Sequence, residues 1–307
     1  MEPLITMHDV SKCFGNIKAI DNASIDILRG EIIGFLGPNG SGKTTTVRLL
    51  NGVIFPDEGS INIKGLDSVK DGEKIRKFSG VLTETASLYE NMTAEGNLKF
   101  FAEIYNVPEE KAEKRIGELL EQFKLTDRRK QKVGNLSTGL KKRLGIAKAL
   151  IHDPDILYLD EPTSGLDPEA SRDLIDYIKQ LNGERLTVFV CTHNLAEAEH
   201  FCTRFVFLDK GRIIESGTLS ELEEKYSGVI KLKVDYRGNI KDTVPQGIDF
   251  EDMPGELNCN SALLTIPSKK QVPSVIRTLS SKADIFCVQP ANSGLEALYF
   301  EIRRNVR

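Results

Sequence analysis

The 307-residue sequence predicts an α/β fold in which a largely parallel sheet is covered by helices on both faces, with a small α+β appendage after it. Three observations predict it. Short apolar runs bounded by turn residues alternate with amphipathic stretches. A glycine-rich loop at 37–44 joins an apolar run to a helical one. Between about residues 92 and 150 the spacing of apolar residues becomes wholly helical, which predicts a separate lobe.

Each element has its own signal. In residues 4–36, LITMHDV and SIDI alternate polar with apolar side chains. Phe14-Gly15-Asn16 and Arg29-Gly30 are turn material, and IIGFL reads as a buried strand. TTTVRLLNG reads as a helix closed by Gly52, and SINIKG as another strand. Residues Ala94–Asn106 and Glu109–Lys124 place apolar side chains three and four apart, and a third helix is expected from Ser137 to Leu150. Strands return at DILYLD and LTVFVCT, each leading into a helix, and FVFLDKGRIIESG reads as a hairpin. Past Ser227, strand-like IKLKVD, LLTIP and IFCVQ mix with helix-like PSVIRTLSS and GLEALYFEIRR. The expected division is therefore 1–227 and 228–307, with the helical lobe at about 86–150.

Composition narrows the function. Apolar residues at 40% and charged residues at 28% suit a soluble domain with a real core, and a formal charge of −4 leaves no basic footprint for nucleic acid. Cys13, Cys191, Cys202, Cys259 and Cys287 are odd in number and form no CxxC pair, which argues against a disulfide framework or a zinc site and for a cytoplasmic protein. No basic start followed by an apolar stretch opens the sequence, and runs such as IIGFLG are too short to cross a bilayer. Any membrane role is expected to come through a partner.

Gly37-Pro38-Asn39-Gly40-Ser41-Gly42-Lys43-Thr44 is a complete GxxxxGK[ST] between an expected strand and an expected helix. Glycines permit positive φ, so successive N–H groups can converge on one anion, and the helix that follows adds its N-terminal partial charge. Lys43 brings a full charge to the β- and γ-phosphates; the Thr44 hydroxyl, with Thr45 beside it, can reach Mg²⁺. These residues predict binding of a nucleoside triphosphate. Asp160 and Glu161 end the strand ILYL, where a parallel sheet delivers carboxylates to such a loop. Neighbours on a strand face opposite ways, so Asp160 is expected to serve the metal and Glu161 the attacking water.

GPNGSGKTT, then LSTGLKKRLGIAKALIHDPDILYLDEPTSGLD, then TH together resemble the ATP-binding cassette (ABC) ATPases, over residues 4 to about 225. The resemblance implies a P-loop NTPase core with an antiparallel β subdomain and a helical subdomain. It implies that Ser137 and Gly139, in the signature segment Leu136–Leu140, bind the nucleotide of a second subunit, so that a head-to-tail homodimer or heterodimer completes the site. Thr138 and Leu140 depart from the usual glycine and glutamine there. By the same resemblance Glu84 stands where a metal-sensing glutamine is usual, His193 is the switch histidine, Asp167 belongs to a loop crossing the dimer interface, and Phe14 stacks on adenine. It further implies a separately encoded membrane permease contacted through Glu84–Met92, peripheral placement on the cytoplasmic face of the membrane, and a tail similar to that of bacterial-type drug-resistance exporters. Two other readings stand beside it: a soluble non-transport ABC ATPase, and a regulatory nucleotide switch. A single cassette without a long coiled coil weighs against the first, and the retained Glu161 against the second.

Overall fold

The computed structural model describes residues 2–181, 186–226, 230–254, 259–291 and 294–305. They form two compact units, Met1–Gly217 and Thr218–Arg307. Ser227 and Gly228, where the sequence placed the division, lie outside the described residues.

The first unit opens with β1 (Ile5–Phe14) and β2 (Ile17–Ile27), a hairpin turned at Gly15-Asn16 with Gly15 at φ 58. These strands are longer than the alternating runs suggested, because register shifts near Asp9 (φ 50) and Asn22 (φ 51) let the pairing continue through irregular points. Next come β3 (Ile32–Leu36), α1 (Lys43–Leu50), β4 (Glu58–Ile63), β5 (Leu66–Asp67), α2 (Gly72–Arg76) and β6 (Ser79–Leu82). The helical lobe holds α3 (Ala94–Ile104), α4 (Glu109–Gln122) and α5 (Thr138–Ala149), which pack on one another. The unit ends with β7 (Ile156–Asp160), α6 (Pro168–Leu181), β8 (Thr187–Thr192), α7 (Leu195–Phe201), β9 (Arg204–Asp209) and β10 (Arg212–Gly217).

Two sheets result. One is antiparallel, in the order β2-β1-β4-β5. The other has six strands, β10-β9-β3-β8-β7-β6, parallel except for β10. All five residues of β3 and of β7 are buried, as strands covered on both faces require. A core joins the sheets: Ile5, Ile27 and Ile63 pack in one cluster with Val47 and Leu50 of α1 and with Phe35, Tyr158 and Phe189. Phe35 and Phe189 stack at 4.3 Å, fixing β3 against β8. α1 is thereby held with its first turn at the end of β3.

The second unit contains α8 (Leu219–Tyr226), β11 (Ile230–Arg237), β12 (Asp249–Met253), β13 (Asn260–Ile266), α9 (Val272–Ser280), β14 (Asp284–Pro290) and α10 (Leu295–Asn305). Its sheet runs β12-β13-β11-β14, antiparallel throughout. Leu232, Val234, Leu264 and Ile266 pack with Val275 and Leu279 of α9, while α8 packs with α10.

Candidate functional site

The strand order assembles the site. β3, β8, β7 and β6 are neighbours and parallel, so the residues that follow each strand emerge on the same side of the sheet. Loop 37–42 follows β3, His193 follows β8, Asp160 and Glu161 close β7, and Glu84 lies just past β6. Together they border a cleft of about 580 Å³, into which Asn39, Gly40, Gly42, Lys43, Thr44, Thr45, Glu84, Asp160, Glu161 and His193 all open. Segments more than 100 residues apart in sequence thus meet in one concavity.

The loop is shaped for an anion. Gly42 takes φ 112, and a Cβ there would lie 2.5 Å from the Ala19 carbonyl oxygen. A Cβ on Gly37 would approach the Leu208 oxygen to 2.1 Å, so neither position admits a side chain. Gly40, at φ 78, has open space instead. Lys43, 6% exposed, folds back to donate to the Gly37 oxygen at 2.8 Å and the Pro38 oxygen at 3.2 Å. The Ser41 hydroxyl is buried without a hydrogen-bond partner. No side chain caps α1, which leaves its first N–H groups to whatever enters the loop. A buried cation, an orphaned hydroxyl and uncapped amides fit a polyphosphate.

The carboxylates are held differently from one another. Thr44 Oγ1 donates to Asp160 Oδ2 at 2.8 Å. Asp160 is 7% exposed, and this burial raises its carboxyl pKa, against the Thr44 hydrogen bond and with help from the nearby Glu161 charge. Glu161 is left-handed, at φ 48, and its N–H donates to the Cys191 oxygen at 2.8 Å. Its Oε1 accepts from the His193 N–H at 3.1 Å and lies 2.8 Å from His193 Nδ1; its Oε2 accepts from Thr192 Oγ1 at 3.2 Å. Lys43 Nζ stands 3.8 Å from the same carboxylate. Among the described residues no group of three or more His, Cys, Asp or Glu gathers to hold a metal. Thr44, Asp160 and Glu84 fit Mg²⁺ in the way that ion is usually held, by one or two carboxylates plus phosphate oxygens.

Several residues of the site carried no readable signal. Ile17, Lys18, Ala19 and Lys210 also line the cleft, as does Ser164 of the loop that the resemblance singles out with Asp167. Lys142 of α5 reaches under it, donating to the Glu84 oxygen at 2.6 Å and the Glu161 oxygen at 3.0 Å. Burial lowers the pKa of this ammonium against the pull of the carboxylates around it. A helix-capping serine or a terminal DE can be recognised in sequence; a lysine that turns inward cannot.

Phe14 does not line the cleft. The hairpin turn leaves it on β1, 46% exposed, opposite Ile17, and it is Ile17 that borders the concavity. Ser137, Gly139 and Asp167 form a second group outside the cleft. Ser137 is exposed and caps α5, accepting from the Leu140 N–H at 3.4 Å. Asp167 is exposed and accepts from the Ala170 N–H at 2.8 Å at the start of α6. A Cβ on Gly139 would lie 3.4 Å from Ala170 Cβ, so the two helix starts adjoin.

Comparison with known proteins agrees with this geometry. Residues 20–164 match the profile of the ABC transporter family, a span that encloses the phosphate loop, the α5 N-terminus and both β7 carboxylates. The linearmycin resistance ATP-binding protein LnrL of Bacillus subtilis is 34% identical over 233 residues, 75% of each chain. The daunorubicin resistance ATP-binding protein DrrA3 of Streptomyces coeruleorubidus is 38% identical, over 73% of this chain and 71% of its own. A structure of the ATP-binding cassette MJ0796, dimeric in a post-hydrolysis state with ADP and phosphate bound, superposes with a TM-score of 0.63 at 28% identity, over 70% of this chain and 98% of that one. With the relatives matched over more than two-thirds of their length, this chain belongs to the ABC transporter family as an ATP-binding subunit that hydrolyses ATP.

Proposed function

We propose that this chain powers an exporter, acting as a head-to-tail ATPase dimer attached to a separately encoded permease on the cytoplasmic face of the membrane, with Mg²⁺ as its cofactor. One observation carries the reading. The cleft gathers the phosphate loop, Asp160, Glu161 and His193, while Ser137 and Gly139 are presented on another part of the same unit. A second copy, turned about, would bring its Ser137 and Gly139 to this cleft and take this chain's in return.

In the closed pair, loop amides and Lys43 hold the phosphates, and Ser137 Oγ and the Gly139 N–H of the second copy add donors to the γ-phosphate. Glu161, aimed by His193 and Thr192, accepts a proton from water as the water oxygen bonds to the γ-phosphorus and the bond from that phosphorus to the β–γ bridging oxygen breaks, the bridging oxygen leaving with ADP. ADP and inorganic phosphate leave. Thr44, Asp160 and Glu84 would hold Mg²⁺, which would supply charge neutralisation at the phosphates. No helix among the described residues is long and apolar enough to cross a membrane, so attachment would fall to the segment from Glu84 to Met92, where Tyr89 is half exposed and packs edge-on to Phe100. The resistance proteins among its relatives support export of a drug-like cargo. They weigh equally against a non-transport ATPase or a nucleotide switch.

The test is hydrolysis by the purified chain beside Glu161→Gln, with oligomeric state followed by light scattering. The wild type should turn over; the variant should lose at least about 100-fold in kcat and accumulate as an ATP-dependent dimer. A wild type that neither binds nor hydrolyses ATP, or a variant that turns over as fast, overturns the reading.

A further inference from the structure

α5 carries a buried cation that none of the roles above uses. Lys142 is 4% exposed, one turn beyond Ser137, and its ammonium donates to main-chain oxygens on two separate segments, those of Glu84 and Glu161. A buried ammonium costs several kcal/mol unless its hydrogens are satisfied, so both acceptors matter to it. They matter to the backbone as well. Glu84 stands in the loop past β6, outside any strand, and Glu161 adopts φ 48, which a residue other than glycine keeps only when its surroundings enforce it. Besides Lys142, the Glu161 oxygen accepts from the Ser164 N–H at 3.2 Å.

The same helix grips the same loop twice more. A Cβ on Gly145 would lie 2.6 Å from Leu82 Cδ1 and 3.0 Å from Ala86 Cβ, and Lys148 donates to the Ala86 oxygen at 2.9 Å and the Ser87 oxygen at 3.4 Å. Neither contact reaches Glu161. Lys142 does.

Resting on the reading of Glu161 as the group that activates water, we propose that Lys142 is a positioning residue: a strut tying the signature helix and the Glu84 loop to the left-handed turn that aims Glu161. Displacement of either α5 or the loop then moves the carboxylate. In this way the surface offered to a permease and the surface offered to a second copy share one attachment to the catalytic turn.

The experiment uses the full chain and reads kcat and KM for Mg·ATP, affinity for a fluorescent ATP analogue, and the melting temperature. Lys142→Met should lower kcat by about 10–100-fold while nucleotide affinity stays within about threefold. Lys142→Arg, which retains charge and donors, should recover to within about threefold of wild type. In a Glu161→Gln background Lys142→Met should cause no further fall, because the lysine acts through that carboxylate. Lys148→Met, which loosens the loop without touching Glu161, should cost less kcat than Lys142→Met. If Lys142→Met does not fold, Lys142→Gln keeps one amide donor and is held to the same split. The proposal is overturned by a kcat within twofold of wild type, by a full further loss in the Glu161→Gln background, or by affinity falling in step with kcat without rescue by arginine. A wild type that fails to hydrolyse ATP overturns the ATPase reading instead, a result distinct from all three.

Discussion

Two helix N-termini in the first unit invite comparison. α1 begins behind Gly42 in the left-handed region, without a side-chain cap, inside a cleft that also holds Lys43, Asp160 and Glu161. α5 begins behind Ser137 in extended backbone, capped by that hydroxyl, outside the cleft and exposed. Both can receive an anion, but the first is surrounded by the chemistry that uses one and the second is not. The difference teaches how an active site can be divided: in the dimer proposed above, one chain would supply a furnished half and a bare one, and a second copy would make the halves meet.

Substitutions at the two ends should separate binding from turnover. Lys43→Ala removes the cation of the furnished end and should cost about a thousandfold in kcat/KM, roughly 4 kcal/mol, together with nucleotide binding by the isolated chain. Ser137→Arg blocks the bare end. It should lower hydrolysis about 100-fold, near 2.7 kcal/mol, yet leave the monomer's nucleotide affinity within about threefold in a fluorescence titration. Equal loss of affinity in both variants would erase the distinction.

Past the far end of α5, a change should affect stability and spare the chemistry. His152 stacks on Tyr105 at 3.7 Å and lies 3.1 Å from the Ser79 oxygen, and burial lowers its pKa to about 4. The unfolded chain takes up that proton near pH 6.5, so the unfolded state binds more protons between those values. Stability from this group is therefore complete above pH 6.5 and is lost as pH falls toward 4, on the order of 3 kcal/mol. His152→Phe should flatten that slope in urea unfolding at pH 7 and pH 4.5. The smallest effect belongs to Phe14→Ala. If its ring reaches the adenine despite standing beside the cleft, ATP affinity should fall about fivefold, near 1 kcal/mol; no change would assign that contact to Ile17.

The furnished half was the more legible in sequence, for a physical reason. A loop that must adopt positive φ and approach Ala19 and Leu208 closely can be made only with glycine, so Gly37 and Gly42 announce it. The Asp160-Glu161 pair ends an unbroken apolar run, which marks both a buried strand and its end. Lys142 and Lys148 gave no such sign. On a helix, KKRLGIAK reads as a solvated face, and only the placement of residues 84–87 and Glu161 turns those ammonium groups inward. In the second unit, β12 has no sequence signature, because DFEDM is an acidic, mostly exposed edge strand without an alternating apolar face. The family resemblance puts Phe14 on adenine, but across the hairpin Phe14 pairs with Ile17, and it is Ile17 that lines the cleft.

The position of β3 in its sheet also has a consequence for how the protein is made. Its neighbours are β8 and β9, both far downstream in the chain. At ordinary synthesis rates of 5–20 residues per second, roughly 10–30 s pass between the emergence of Leu36 and that of Thr192. Throughout that interval the strand IIGFL, buried at every position in the finished fold, has two open edges. Ribosome-bound chains shorter than Thr192 should accordingly be those most in need of a chaperone. The nucleotide loop is among the first parts of the molecule to be synthesised and among the last to acquire its neighbours.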